Sequence, residues 1–204
     1  MMRYKAKIKR NAIFILTIIT VLILLATAYY AAHPFTDDPA DYKTASGSIN
    51  YDKIARRLDA TPYQVADLQN QKTIIVRHKV EKYQVEYSIE VGPEILADFV
   101  ARTGDHQEAY IRIIADTSLH PTTTDLYYDG SKFFGVCKYI QEGSGLPVYN
   151  KFEFSDLSAV YSGSLWYYVL ADQTFSTFDD LMRILSSSDL YEYYSAHVLF
   201  ACSG

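Results

Sequence analysis

The chain has 204 residues, of which 49% are apolar and 21% charged, a composition that excludes disorder throughout. Its formal charge of −5 is unevenly spread: residues 1–32 hold five basic side chains and no acid, which leaves 14 basic against 24 acidic residues beyond them. An acidic surface of that size repels nucleic acid and anionic headgroups, so no nucleic-acid partner is expected.

Residues 1–11 form a basic segment with Arg3, Lys5, Lys7, Lys9 and Arg10. Ala12 to Ala32 follows as an uncharged run broken only by three threonines. About 20 helical residues cross a hydrocarbon core of ~30 Å, and the preceding cations favour a cytoplasmic N-terminus. One reading is therefore a single-pass transmembrane anchor over 12–32, with the membrane as a partner and the C-terminal domain outside the cell membrane. The other is a signal peptide cut near Ala28, since Ala26-Thr27-Ala28 has the small-x-small form of a cleavage site, giving a secreted domain that starts at Tyr29. Both place residues 50–204 outside the cytoplasm. Residues 33–49, polar and with two prolines, are expected to be a linker.

Asn50 predicts the start of a short helix with Tyr51, Ile54, Ala55 and Leu58 on one face. Thr61-Pro62 predicts a second one, with Val65 and Leu68 inward. The pair has the outline of a helix-turn-helix, but two amphipathic helices joined by a short turn are common. Strands are predicted over Thr73–Val80 and Tyr83–Val91, the latter alternating from Tyr83 through Val91 as a sheet with one wet face does. Gly92-Pro93 opens a helix with Ile95, Leu96, Phe99 and Val100 inward, closed by Gly104. A strand over Tyr110–Ala115 precedes a hairpin of Leu126–Asp129 and Lys132–Tyr139, turned at Asp129-Gly130. Further strands are predicted over Val148–Phe154, Leu165–Leu170 and His197–Cys202. Thr177 and Asp180 begin a helix that points Phe178, Leu181, Met182 and Leu185 inward.

Nineteen tyrosines against a single Trp suit half-buried pleated surfaces that keep a hydroxyl wet. The expected fold class is α+β: an antiparallel sheet with a few packed helices behind one N-terminal transmembrane helix.

The stretch Tyr110–Phe134, the helix before it and the terminal Cys-Ser-Gly together resemble a family of small extracytoplasmic domains of unknown function from Gram-positive bacteria. The resemblance covers about half the chain. It implies a secreted or lipoprotein-like location in the cell envelope and brings no catalytic residues with it. This sequence departs from the pattern in lacking a lipoprotein cysteine.

Cys137 and Cys202 are the only cysteines. An even count outside the cytoplasm favours a disulfide, which would stabilise by roughly 4 kcal/mol in the chain-entropy model; two buried thiols are the alternative. The five histidines, His33, His78, His106, His120 and His197, show no His-x-x-x-His spacing and no CxxC, so no metal site is expected. Asp105-His106 reads as loop polarity. Ser144 and Ser164 sit in Gly/Ser turns that lack the nucleophile-elbow pattern, and no glycine loop cradles a phosphate, so no cofactor is implied. Asp37-Asp38 and Asp179-Asp180 read as linker and helix-start charges. The paired tyrosines Tyr127-Tyr128 and Tyr167-Tyr168, with Tyr191, Tyr193 and Tyr194, are expected to put one ring of each adjacent pair in the core and one on the surface. The function these features favour is non-enzymatic binding or sensing of an envelope protein or glycan. The alternative is a hydrolase of envelope material that assembles His106, His120 and Asp125.

Overall fold

The computed structural model describes residues 37–60, 72–81, 84–116, 121–189 and 195–203, together with Thr20. In chain order the folded unit has a 3-10 turn (Pro39–Tyr42), α1 (Tyr51–Ala60), β1 (Thr73–Glu81), β2 (Gln84–Val91) and α2 (Pro93–Gly104). It continues through β3 (Ala109–Asp116), β4 (Thr122–Tyr128), β5 (Phe133–Ile140), β6 (Pro147–Phe154), β7 (Asp156–Tyr161), β8 (Leu165–Ala171), α3 (Phe178–Leu185) and β9 (Ala196–Ser203).

The expected fold class is corrected on two counts. The fold is mostly β, with two sheets, where one antiparallel sheet was expected. No helix among the described residues is long and apolar enough to cross a membrane; the 12–32 run lies outside the described residues, Thr20 excepted. So does the helix expected from Thr61.

The larger sheet has the order β2-β1-β3-β4-β5-β6, and its β1–β3 pair is parallel. The parallel pair arises because β2 turns back along β1 and α2 then carries the chain across to the opposite side of β1. From β3 onward the sheet is an antiparallel meander. The smaller sheet, β7-β8-β9, takes strands that sequence periodicity alone would add to the first. β7, with Asp156 and Ser158 in a six-residue run, was not predicted at all.

Both faces of the large sheet are covered. One carries Ile74, Ile111, Leu126, Tyr128 and Phe133 against Leu96 and Phe99 of α2 and Leu170 and Phe200 of the small sheet. The other carries Tyr110, Tyr127, Phe134 and Val136 against Ile54 and Leu58 of α1 and Tyr42. This double cover corrects the expectation for Tyr127-Tyr128: the rings point to opposite faces and both are buried. Tyr42, fully buried, comes from the stretch read as linker; residues 37–49 are folded, with Lys43 and Ile49 bridged. A third cluster, with Val169, Leu181 and Ile184, packs α3 on the outer face of the small sheet.

Local signals set the element ends. Lys53 N–H donates to Asn50 Oδ1 (3.0 Å) at the start of α1, and Asp180 N–H donates to Thr177 Oγ1 (3.2 Å) at the start of α3. Val100 and Met182 are exposed, because the buried stripes are narrower than the spacing suggested and run through Leu96–Phe99 and Leu181–Ile184. At the β4–β5 turn, burial opposes ionisation of Asp129. Hydrogen bonds from Lys43, Lys132 and Ser131 outweigh it and hold the carboxyl at about 2.

Two register shifts redirect side chains. Ile75 pairs with Val91 and Val76 with Ile89, so Glu90 is the extra residue; it binds Arg77 at 2.6 Å. Beyond it Val91 turns to Ile75 and Ile114, while Ile89 stays on the α2 side, which breaks the alternation expected through Val91. In β9, Val169 pairs with Val198 and Tyr168 with Phe200, which leaves Leu199 extra. Val198 therefore faces α3, whereas Phe200 and Cys202 face the large sheet.

β9 runs across the large sheet. Its start stacks His197 on Phe152 of β6, and its end has Ser203 Oγ donating to the Tyr87 carbonyl of β2 (2.6 Å). Those strands are the two edges. Eight residues reach about 26 Å and six strands span about 24 Å, so a crossing strand of this length fits from edge to edge.

Gly135 in β5 lies under the Phe152 ring. A Cβ there would sit 2.2 Å from the Asp125 carbonyl and 2.7 Å from Phe152 Cζ. Gly135→Ala is expected to destabilise the fold by about 3 kcal/mol, at the upper end of ordinary overpacking, as a lowered urea midpoint. A midpoint unchanged within error would show that the Asp125 carbonyl and the Phe152 ring do not crowd this position so closely.

Candidate functional site

Two constellations bring charged or titratable groups together. The first is buried between α1 and the large sheet. Asp125 of β4 has no exposed surface. It accepts from Arg112 Nε on Oδ1 (2.6 Å), Arg112 Nη2 on Oδ2 (2.7 Å) and the Tyr110 hydroxyl on Oδ1 (2.8 Å). Arg57 of α1 enters from above, its Nε 3.7 Å from Asp125 Oδ2 and its guanidinium 4.1 Å from the Tyr110 ring centre. Arg57 also donates to Tyr127 Oη (2.8 Å), Tyr42 Oη (3.2 Å) and Asp37 Oδ1 (2.6 Å).

Asp37, Arg57, Asp125 and Arg112 alternate in sign and sum to zero. Burial works against the charge on Arg112, but Asp125 outweighs it and keeps the guanidinium protonated. Burial, and then Asp125, raises the Tyr110 hydroxyl far above its ordinary value, so it stays a donor. With three donors on its two oxygens and no contact with solvent, Asp125 is placed to hold structure together. It is not placed to exchange protons with a substrate.

The second constellation is a cleft of about 920 Å³ between β6, the start of β9, Asp172 and Leu185. Tyr149, Lys151 and Glu153 alternate along β6 with Asn150, Phe152 and Phe154. His197 stacks on Phe152 (4.9 Å between ring centres, 24° between planes) and lies nearly parallel to Phe154 (6.5 Å, 13°). Burial lowers the His197 pKa, so the ring is neutral near pH 7. The charged side chains are braced. Tyr149 Oη donates to Asp59 Oδ1 (2.8 Å), Lys151 reaches Asp52 (3.0 Å), and Glu153 binds Lys132 (2.6 Å). Asp172 accepts from Ser155 N–H and Oγ (both 3.1 Å). The result is a cleft underlain by the buried rings of Phe152 and Phe154, with polar groups held at its rim.

The residues singled out from sequence are dispersed. His106 has a left-handed backbone (φ 56°) at the end of α2, and its Nδ1 lies 3.1 Å from Tyr128 Oη on the α2 side of the sheet. Asp125 points to the α1 side, so the sheet separates these two members of the proposed hydrolytic set. His120 and His33 lie outside the described residues, as do Tyr191, Tyr193 and Tyr194. His78 stacks on Tyr87 (4.3 Å, 5°). Cys137, half-buried in β5, and Cys202, buried in β9, are both free thiols, and burial raises both. Ser144 Oγ accepts from Leu146 N–H within its turn (3.2 Å). Asp38 caps the 3-10 turn, while Asp37 is the partner of Arg57. Among the described residues no cluster of His, Cys, Asp or Glu could hold a metal.

Sequence reasoning missed Arg57, Arg112, Lys151 and Asp172. Only Lys151-Phe152-Glu153-Phe154 carried a signal, an alternation of charge and ring, and nothing in it says that the strand is an edge.

No family model, curated protein or solved structure matches this chain.

Asp125→Asn leaves two buried guanidiniums short of a counter-charge and is expected to cost about 3–5 kcal/mol in urea unfolding. A loss under 1 kcal/mol would show that the network does not hold α1 to the sheet. For His197 the folded pKa lies below the unfolded ~6.5, so the unfolded chain binds more protons and stability falls as pH drops below that value. The urea midpoint is expected to fall between pH 7.5 and 5, and to fall less in His197→Phe. Equal falls in both proteins would contradict burial of this imidazole.

Proposed function

We propose that this is a non-enzymatic binding domain of the cell envelope that takes its partner in the cleft between β6 and β9. The cleft itself is the observation that carries the reading: Phe152, Phe154 and His197 stack beneath it, while Lys151, Glu153 and Tyr149 are tied to neighbouring elements before any ligand arrives. Groups fixed in advance lose little entropy on binding, which is how a site of this size gains affinity. The extracytoplasmic location rests on sequence, on five cations ahead of the uncharged run Ala12–Ala32, read either as an anchor or as a signal peptide cut near Ala28.

A photoreactive residue in place of Asn150, carried by the full-length protein in its own cells, tests this reading. It is expected to form an adduct with an envelope component. The same residue at Glu142, on the exposed β5–β6 turn, is expected to form none. Identical adducts from both positions would refute the cleft as the binding site. Turnover of an ester or cell-wall substrate that His197→Ala abolishes would reverse the choice between binding and hydrolysis.

A further inference from the structure

β6 is the edge of the large sheet, and its backbone polarity can be assigned residue by residue. Gln141 N–H donates to the Leu146 carbonyl (2.9 Å), so these two form a hydrogen-bonded pair. The β5–β6 register continues from them through Ile140 opposite Pro147 to Phe133 opposite Phe154. Hydrogen-bonded and non-bonded pairs alternate in an antiparallel ladder. Val148, Asn150, Phe152 and Phe154 therefore turn their N–H and C=O groups toward β5. Those of Tyr149, Lys151 and Glu153 turn outward. Pro147, which has no N–H, falls in the outward set, the position where a strand tolerates proline.

Among the described residues no strand pairs with this side of β6. The opposite edge differs, since there Ser203 of β9 binds the Tyr87 carbonyl of β2. The outward groups belong to Tyr149, Lys151 and Glu153, which are among the six consecutive β6 residues that line the cleft.

We propose that the cleft binds an extended peptide segment of another protein, which adds to the large sheet as a strand beside β6. The proposal rests on the binding reading above and names the class of partner. Donors and acceptors repeating every second residue match an extended backbone and no compact ligand. Side chains of the added strand would alternate between two environments. One set meets Phe152, Phe154 and His197 and favours large apolar or aromatic residues. The other meets Tyr149, Lys151 and Glu153 and favours polar or charged ones. A second copy of this chain fits less well. Pairing β6 with β6 brings a second Ser195–Val198 wall onto the same face of the joint as the first.

The test uses the full-length protein and a displayed library of linear ten-residue peptides, with the enriched peptides synthesised and titrated. Lys151→Pro deletes an outward N–H at an edge position, whereas Lys151→Ala removes only the side chain. Lys151→Ala reports what the side chain contributes, and binding is expected to be at least tenfold weaker in Lys151→Pro than in Lys151→Ala, with thermal midpoints showing both folded. N-methylation of alternate peptide amides is expected to abolish binding in one phase and spare it in the other. Peptides that bind Lys151→Pro as tightly as the parent would overturn strand addition and leave the cleft reading intact. Enrichment of no peptide would overturn the partner class, while the Asn150 adduct reports separately on the cleft. A dimer dispersed by Lys151→Pro would make a second copy the occupant and also overturn the proposal.

Discussion

Asp125 is a carboxylate with no exposed surface in the middle of a six-stranded sheet, and this constrains everything on the α1 side. An ion of that kind is tolerable only when its oxygens are saturated and its charge is matched nearby. Arg112 and Tyr110 supply the saturation from the neighbouring strand. Arg57 supplies the second positive charge from a helix 55 to 70 residues away in sequence, and Asp37 balances it from further upstream. The four charges can be satisfied together only when α1 lies in one register over β3 and β4. Hydrophobic contact through Ile54 and Leu58 would allow α1 to slide, and the ionic ladder removes that freedom.

Fixing α1 has a consequence at the far edge of the sheet. Asp52 and Asp59, on the same helix, hold Lys151 and Tyr149 of β6. The position of the β6 rim is thereby tied through a single rigid helix to a network in the sheet centre. On the other face the cleft depends on the extra residue in β9. Without the shift at Leu199, His197 would share a face with Leu199 and point away from Phe200 and Cys202. The bulge turns His197 toward Phe152 while Val198 still packs against α3, so one irregular residue lets β9 serve two cores and form a wall.

Much of the fold was legible because the signals were local. The alternation in Leu165–Leu170, the Asp129-Gly130 turn, Pro93 at a helix start and Thr177 with Asp180 each act within a few residues. Pairing was not legible. Nothing in Thr73–Val80 says that its second neighbour is the parallel β3, or that Leu165–Leu170 belongs to another sheet. Tyr127-Tyr128 shows the limit of pattern reading: alternation correctly sends the rings to opposite faces, but whether a face is dry depends on α1 and α2, which are distant in sequence. The same holds for residues 37–49, which are polar enough to resemble a spacer, although Tyr42 and Asp37 are core and network partners. The site was the least legible part. Charged and aromatic residues alternate along Lys151-Phe152-Glu153-Phe154, but the feature that matters is an edge with no paired strand among the described residues, a property of the sheet that no single strand encodes.

An open edge in a sheet-rich domain is a hazard, because it invites pairing with any exposed strand. β6 is guarded in part, since Lys151 and Glu153 sit on it and Pro147 begins it. These are the devices that discourage promiscuous aggregation. Complete protection, however, would put charge on both faces or cover the edge, and among the described residues neither is seen. The charges occupy the α1 side, and on the opposite side Phe152 and Phe154, buried to all but 8% of their surface, lie under the cleft with the half-buried His197. An edge guarded on one face and apolar on the other rejects most strands while accepting those whose side chains alternate to match. Under the strand-addition proposal, that selectivity separates a recognition edge from a liability, and it follows from the same period of two that folds the sheet.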